Sequence, residues 1–240
     1  MTSTRTIATV TGVLFLITFI TSIPAAFYFY PPVLNDPTYI AGAGADMRVK
    51  FGALLEVILV VANVGTAVVL YPLLKRQNHI VALGYVTARV MEGAMIAVGI
   101  LSLLSIVTVR QEFAGVAGAD ATALVPIGSA LVAVHDWTFL LGPGFLAPLG
   151  NGILLGYLMY RSGLVPRGMS MLGLIGGPLL IVAFVAVLFG VFEQVSLPVA
   201  IATIPEFLWE LSLGIYLVVK GFLPSPITAA YDRDAGIDGV

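Results

Sequence analysis

The sequence predicts an all-α membrane bundle of six transmembrane helices with both termini on the cytoplasmic side. Three observations predict it. Of 240 residues, 59% are hydrophobic and only 10% are charged, whereas a soluble domain carries about 25% charge. The mean hydropathy is +1.05, so the deficit of charge matches a deficit of water-facing surface. Six separate stretches are long enough to cross a hydrocarbon core of about 30 Å, which takes roughly 20 apolar residues.

The first stretch covers about 7–30. Arg5, the apolar run from Val10 to Ile20 and Pro24-Ala25-Ala26 mimic a signal peptide. The apolar run continues through Phe27-Tyr28-Phe29-Tyr30, which is the length of a span rather than of a signal core. It reads as an uncleaved first helix. Pro31-Pro32 through Lys50 separates it from the second stretch, about 50–73, and Lys75-Arg76-Gln77-Asn78-His79 separates that from the third, about 80–108.

The fourth stretch, about 134–160, is the one ambiguous element. The segment 121–160 is long enough for two spans with Gly142-Pro143-Gly144 as the turn between them. Charge decides against that split. With six spans, Arg5, Lys75, Arg76, Arg161, Arg167, Lys220 and Arg233 share the cytoplasmic side, and only Arg48, Lys50 and Arg110 lie outside. A seventh span would destroy this bias. The stretch 121–133 then becomes a helical or re-entrant outer loop before helix four, and Gly142-Pro143-Gly144 a kink. The fifth and sixth stretches, about 168–192 and 197–220, are divided at Glu193-Gln194.

Tyr71-x-x-x-Lys75, Tyr157-x-x-x-Arg161 and Tyr216-x-x-x-Lys220 end helices two, four and six. Each places an aromatic ring at headgroup level and lets a basic side chain reach past it. Glycine runs such as Gly150-x-Gly152-x-x-x-Gly156 and Gly173-x-x-Gly176-Gly177 permit close helix packing. Residues 1–221 thus form one transmembrane domain, and the polar, Pro-containing 222–240 is expected to be a disordered cytoplasmic tail.

Several functions are excluded or disfavoured. A net charge of −2 offers no basic face to nucleic acid, and the lipid bilayer is the expected partner. Cysteine is absent, which removes disulfides, thiolate metal sites and a cysteine nucleophile. His79 and His135 are the only histidines, and the topology sets them on opposite sides of the membrane. His79 reads as a solvated loop residue.

Ionisable residues within spans cost about 2.5–3.5 kcal/mol each on insertion scales, so they face the bundle interior and mark function. Glu56, Arg89, Glu92, Glu206 and Glu210 are such residues, with His135 and Asp136 at the outer mouth of helix four and Asn63 in helix two. Tyr85, Arg89 and Glu92 share one face of helix three, and Glu206 and Glu210 share one face of helix six. Gly52, Glu56 and Asn63 share a face of helix two. Three polar stripes among Leu, Ile and Val are expected to meet.

At 1.5 Å per residue, Glu206 and Glu210 lie about 12 and 18 Å below Pro198, and Glu56 about 9 Å below Lys50. These depths predict an outward-facing, carboxylate-rich pocket lined by Glu56, Arg89, Glu92, His135, Asp136, Glu206 and Glu210. Four glutamates face one arginine, a formal charge of 4 − 1 = 3 negative. Burial requires that this excess be protonated, matched by a cation or hydrated.

Three functions fit. The first is binding of a cation, metal or polar small ligand, in a proton- or ion-coupled carrier. Six spans are few for a carrier, which points to a homo-oligomer. The second is a metal-dependent hydrolase at the outer leaflet, with a divalent metal ion on Glu92, His135, Glu206 and Glu210. No tight ligand spacing such as His-Glu-x-x-His supports it. The third is a scaffold or sensor in which pairs such as Arg89–Glu92 only pin the bundle.

Three runs carry a family resemblance: His135-Asp136-Trp137-Thr138-Phe139-Leu140-Leu141-Gly142-Pro143-Gly144-Phe145, Tyr157-Leu158-Met159-Tyr160-Arg161-Ser162-Gly163-Leu164-Val165-Pro166-Arg167, and Pro205-Glu206-Phe207-Leu208-Trp209-Glu210-Leu211-Ser212-Leu213-Gly214. From about Arg5 to Pro224 the chain resembles a bacterial membrane family known as domain of unknown function 4386. The resemblance implies a multi-pass protein of the bacterial cytoplasmic membrane and assigns no reaction, cofactor or ligand.

Overall fold

In the computed structural model, which describes residues 3–42, 44–113, 121–234 and 236, every regular element is helical. Six helices are long and apolar enough to cross a membrane: Thr4–Phe29, Asp46–Leu74, His79–Phe113, Val125–Ser162, Arg167–Leu188 and Leu197–Val219, here spans 1 to 6. Each packs on its neighbours in sequence, and span 1 also packs on span 6. The spans therefore close into a ring. Such a ring has an interior for side chains that cannot face lipid, and an outer surface that must be apolar. Ile20, Val61, Leu101 and Val182 are all more than 60% exposed on that outer surface.

Local sequence explains the ends. Ser3 caps span 1 by accepting from the Thr6 amide at 3.2 Å. Gly163, with φ +65°, ends span 4 in a left-handed turn that a Cβ would strain. Proline acts inside the spans. After Pro24, span 1 widens into the π-helical turn Ala25–Phe29, and span 4 does so twice, over Leu140–Leu146 around Pro143 and over Pro148–Leu155. A proline cannot donate to the carbonyl four residues back, and a wider turn accommodates the missing bond. The expected kink at Gly142-Pro143-Gly144 is thus part of a long π-helical stretch.

Two boundaries differ from the sequence reading. Residues 121–133 are helical as expected, but from Val125 they are the first turns of span 4 itself, so His135 lies ten residues inside that helix. The tail expected to be disordered contains a helix, Pro226–Asp234. It packs on spans 1 and 2. Asp232 accepts from the Thr4 amide and hydroxyl at 3.1 and 2.8 Å, Asp234 pairs with Arg76 at 2.8 Å, and Tyr231 is buried in the bundle core. A moderately polar segment folds here because one apolar ring and two carboxylates find partners on the bundle end.

These tail contacts place both termini and the Lys75–Asn78 turn on one face. At the opposite face, Asp46 accepts from Arg110 Nε at 2.8 Å, Gln111 Nε2 at 2.7 Å and Tyr39 Oη at 2.8 Å. This knot ties the segment after span 1 to the end of span 3. Burial and then the Asp46 hydrogen bond push the Tyr39 phenol pKa upward.

Candidate functional site: a buried carboxylate cluster

Span 3 presents Arg89 and Glu92 one turn apart, and Arg89 Nη1 donates to Glu92 Oε2 at 2.5 Å. Both are buried, at 2% and 5% exposure. Span 6 presents Glu206 and Glu210 one turn apart on the face towards span 4, with Trp209 fully buried beside them.

Between these helices runs the second π-helical segment of span 4. Its Asn151, fully buried, donates from Nδ2 to Glu210 Oε1 at 2.6 Å, and its backbone carbonyl accepts from Trp209 Nε1 at 2.9 Å. Two glycines flank it. A Cβ on Gly150 would lie 3.3 Å from Arg89 Cδ, and one on Gly152 would lie 2.6 Å from Glu206 Oε2 and from the Gly177 Cα of span 5. Arg89 and Glu206 therefore rest on the same short segment, two residues apart. The charges of Arg89, Glu92, Glu206 and Glu210 act on one another. Tyr85, fully buried on the Arg89 face, lies with its hydroxyl 3.3 Å from Thr66 Oγ1.

The cluster is unbalanced in two ways. Three carboxylates meet one guanidinium, a formal excess of 3 − 1 = 2 negative charges. Hydrogen bonding is also incomplete: Glu206 is 4% exposed, yet among the described residues neither of its carboxylate oxygens has a partner. Asn151 Oδ1, Arg89 Nε and Asn63 Nδ2 are likewise unpaired, although Asn63 sits beside Glu92. Buried polar groups are paired in the great majority of cases, and a charge buried without partners is far more costly than a neutral group.

Glu56 and His135 belong to a second group. Tyr30 donates to Glu56 Oε2 at 2.8 Å, and its ring meets the His135 ring edge to face at 5.8 Å. Glu56 lies within electrostatic reach of His135. His135 Nδ1 is 3.5 Å from Asp136 Oδ1, and the Asp136 side chain is 55% exposed.

The seven residues from Glu56 to Asn63 amount to about 10 Å of helix rise, which sets this group apart from the central one. The single pocket expected from the sequence is thus two polar groups. The expected metal set is divided, because His135 stands with Tyr30 and Glu56 while the other three stand at the centre. Among the described residues no group of three or more His, Asp or Glu is gathered closely enough to hold a metal ion.

A cavity of about 160 Å³ opens at the face away from the termini, bounded by Asp36, Pro37, Tyr39, Ile106, Ser129 and Asp136. Asp36 is fully exposed, and hydrogen bonds from the Thr38 hydroxyl and then its amide hold the carboxyl below its ordinary pKa. A groove near the other face runs between Met169, Tyr216 and Lys220. Neither is lined by Glu92, Glu206 or Glu210. Of the residues expected in an outward pocket, Asp136 alone lines the cavity.

Two participants escaped the sequence reading. Asn151 lay inside a glycine run that reads as packing, and its signal was an amide at mid-span. Tyr30 read as the end of the apolar run of the first helix, because nothing in the sequence shows that its hydroxyl turns inward to Glu56. A family model described as Domain of unknown function (DUF4386) matches residues 10–221. No curated protein and no solved structure matches the chain.

Proposed function

Since this chain belongs to the family of the domain of unknown function DUF4386, a description that names no activity, we propose from the site itself that it is a membrane protein of transport type whose central cluster binds a small cation. The observation that carries this reading is the Glu206 carboxylate, buried near the middle of span 6 without one hydrogen-bond donor among the described residues. A cation, the proton included, relieves both the charge excess and the missing bonds. Glu206 and Asn151 Oδ1 supply the open oxygens, while Arg89 offsets Glu92. Intramembrane carboxylates and arginines of this kind mark ion and proton pathways. A scaffold needs only the Arg89–Glu92 pair; the further acids and the open amide exceed what pinning a bundle requires.

Trp209 is a built-in reporter, because its indole is bonded to Asn151 and it precedes Glu210. With Trp137→Phe removing the other tryptophan, the detergent-purified protein is titrated with acid, Na⁺ and K⁺ while emission is followed. A saturable response that Glu206→Gln abolishes is expected. Unchanged emission and unchanged thermal midpoint under all three titrations would sink the proposal.

A further inference from the structure

Building on the central cation site, we propose that the cation is a proton, and that it enters from the face away from the termini through the cavity at Asp136, passing by His135 to Glu56. The course is laid out by position. Gly128, Ser129, Val132, Ala133 and Asp136 of span 4 all line the cavity, at the i, i+4, i+8 spacing of one helix face. From Gly128 to Asp136 that face descends about 12 Å. The exposed Asp36 stands at the cavity wall and the half-exposed Asp136 lies farther along the span 4 face. A void of about 160 Å³ has room for several waters.

Beyond Asp136 each group both accepts and releases a proton. Hydronium in the cavity gives a proton to the Asp136 carboxylate and leaves water. Asp136 passes a proton to His135 Nδ1 across the 3.5 Å gap, and the imidazolium gives up its other N–H proton to Glu56. The imidazole returns to neutrality with its tautomer exchanged, so charge and atoms balance. Tyr30, 1% exposed, donates to the same Glu56 carboxylate and orients it. From Glu56, the remaining 10 Å or so of span 2 leads to Asn63, whose unpaired Nδ2 sits beside Glu92. Across that last interval, beside the apolar Leu59, Val60 and Ile96, the proposed route requires transient entry of water. The charged and titratable groups facing the route are Asp36, Tyr39, Tyr30, Glu56 and Asp136, with the Asp46–Arg110 pair closing the end above Tyr39.

A proton is favoured over a metal because Tyr, Glu, His and Asp follow one another singly along this route, and among the described residues no three acidic or imidazole side chains are gathered closely enough to hold a metal ion.

The test separates the route from its destination. In the Trp137→Phe protein, a stopped-flow acid jump is followed by Trp209 emission. Glu56→Gln and His135→Gln are expected to slow the change roughly a hundredfold, the size of a lost proton-transfer group, while its final amplitude is kept. His135→Ala is expected to be slow and to be rescued by added imidazole, which a merely structural histidine would not permit. Retained helicity by circular dichroism qualifies each variant, and the Gln variant stands in if the Ala variant does not fold.

Wild-type rates in both Gln variants, with the response still abolished in Glu206→Gln, would overturn the route and leave the central site standing. A response to Na⁺ or K⁺ without one to acid would overturn the proton and keep the cation. A Glu206→Gln protein that responds like the parent would overturn the central reading itself.

Discussion

Asn151 is the residue on which the centre turns. Its amide and its carbonyl hold the consecutive residues Glu210 and Trp209 of span 6, and the π-helical stretch after Pro148 brings it there. Replacing it with alanine removes the one side-chain donor to Glu210 among the described residues and leaves another buried acceptor unpaired. Asn151→Ala is expected to cost about 1–3 kcal/mol, read as a lower midpoint of thermal unfolding in detergent, and to shift Trp209 emission. Gly152 is equally constrained. A methyl group there meets the Glu206 carboxylate and the Gly177 backbone at 2.6 Å, and a backbone of a packed span cannot swing aside. Gly152→Ala is expected to lose about 1–3 kcal/mol and to weaken the acid response of Trp209, whereas Gly168→Ala, with nothing within 4 Å, serves as its neutral control. An unchanged midpoint for Gly152→Ala would show that the niche is looser than described.

Among elements, the helix Pro226–Asp234 was the least legible from the sequence. Its composition reads as a tail, and it is ordered by what it meets: Thr4, the Arg76 side chain and the bundle end that buries Tyr231. Arg76 also lies over the Tyr231 ring at 5.3 Å. Tyr231→Ala is expected to remove about 3 kcal/mol or more of packing, while Asp234→Asn, which breaks an exposed ion pair, is expected to cost under about 1 kcal/mol. Limited proteolysis checks the ranking, since cleavage after span 6 should accelerate in the first variant and stay near the parental rate in the second. Span 4 shows a similar limit. Its hydropathy places it in the membrane, but whether residues 125–133 lead into it or lie apart is decided by continuous helical hydrogen bonding.

At the scale of the whole molecule, the ring of six spans explains why ionisable residues from distant segments meet. Spans 2, 3, 4 and 6 all contribute to the centre. Orientation in the membrane is open to a direct measurement, because the chain has no cysteine and any introduced thiol is unique. The excess of Lys and Arg at the face of the termini predicts that face to be cytoplasmic. Thiols at Gln77 and Gly168 are therefore expected to resist an impermeant maleimide in intact cells, and thiols at Asp36 and Glu193 to react. The reverse pattern would invert the bundle and would make the Asp136 cavity an entrance from the cytoplasm.

By itself the sequence determined the membrane class, the number of spans and the residues that lipid would not accept. The class and the misfit residues follow from hydropathy and period, which are properties of one helix at a time, and the count of six also took the bias of Lys and Arg between the two sides. It also marked Arg89 with Glu92, and Glu206 with Glu210, as one-faced pairs. Which faces meet is a matter of ring closure, rotation and the π-helical stretches of span 4, and these arise from contacts among helices remote in sequence. Only the tertiary structure could therefore divide the expected pocket in two, bring Asn151 between the spans and leave Glu206 without a donor.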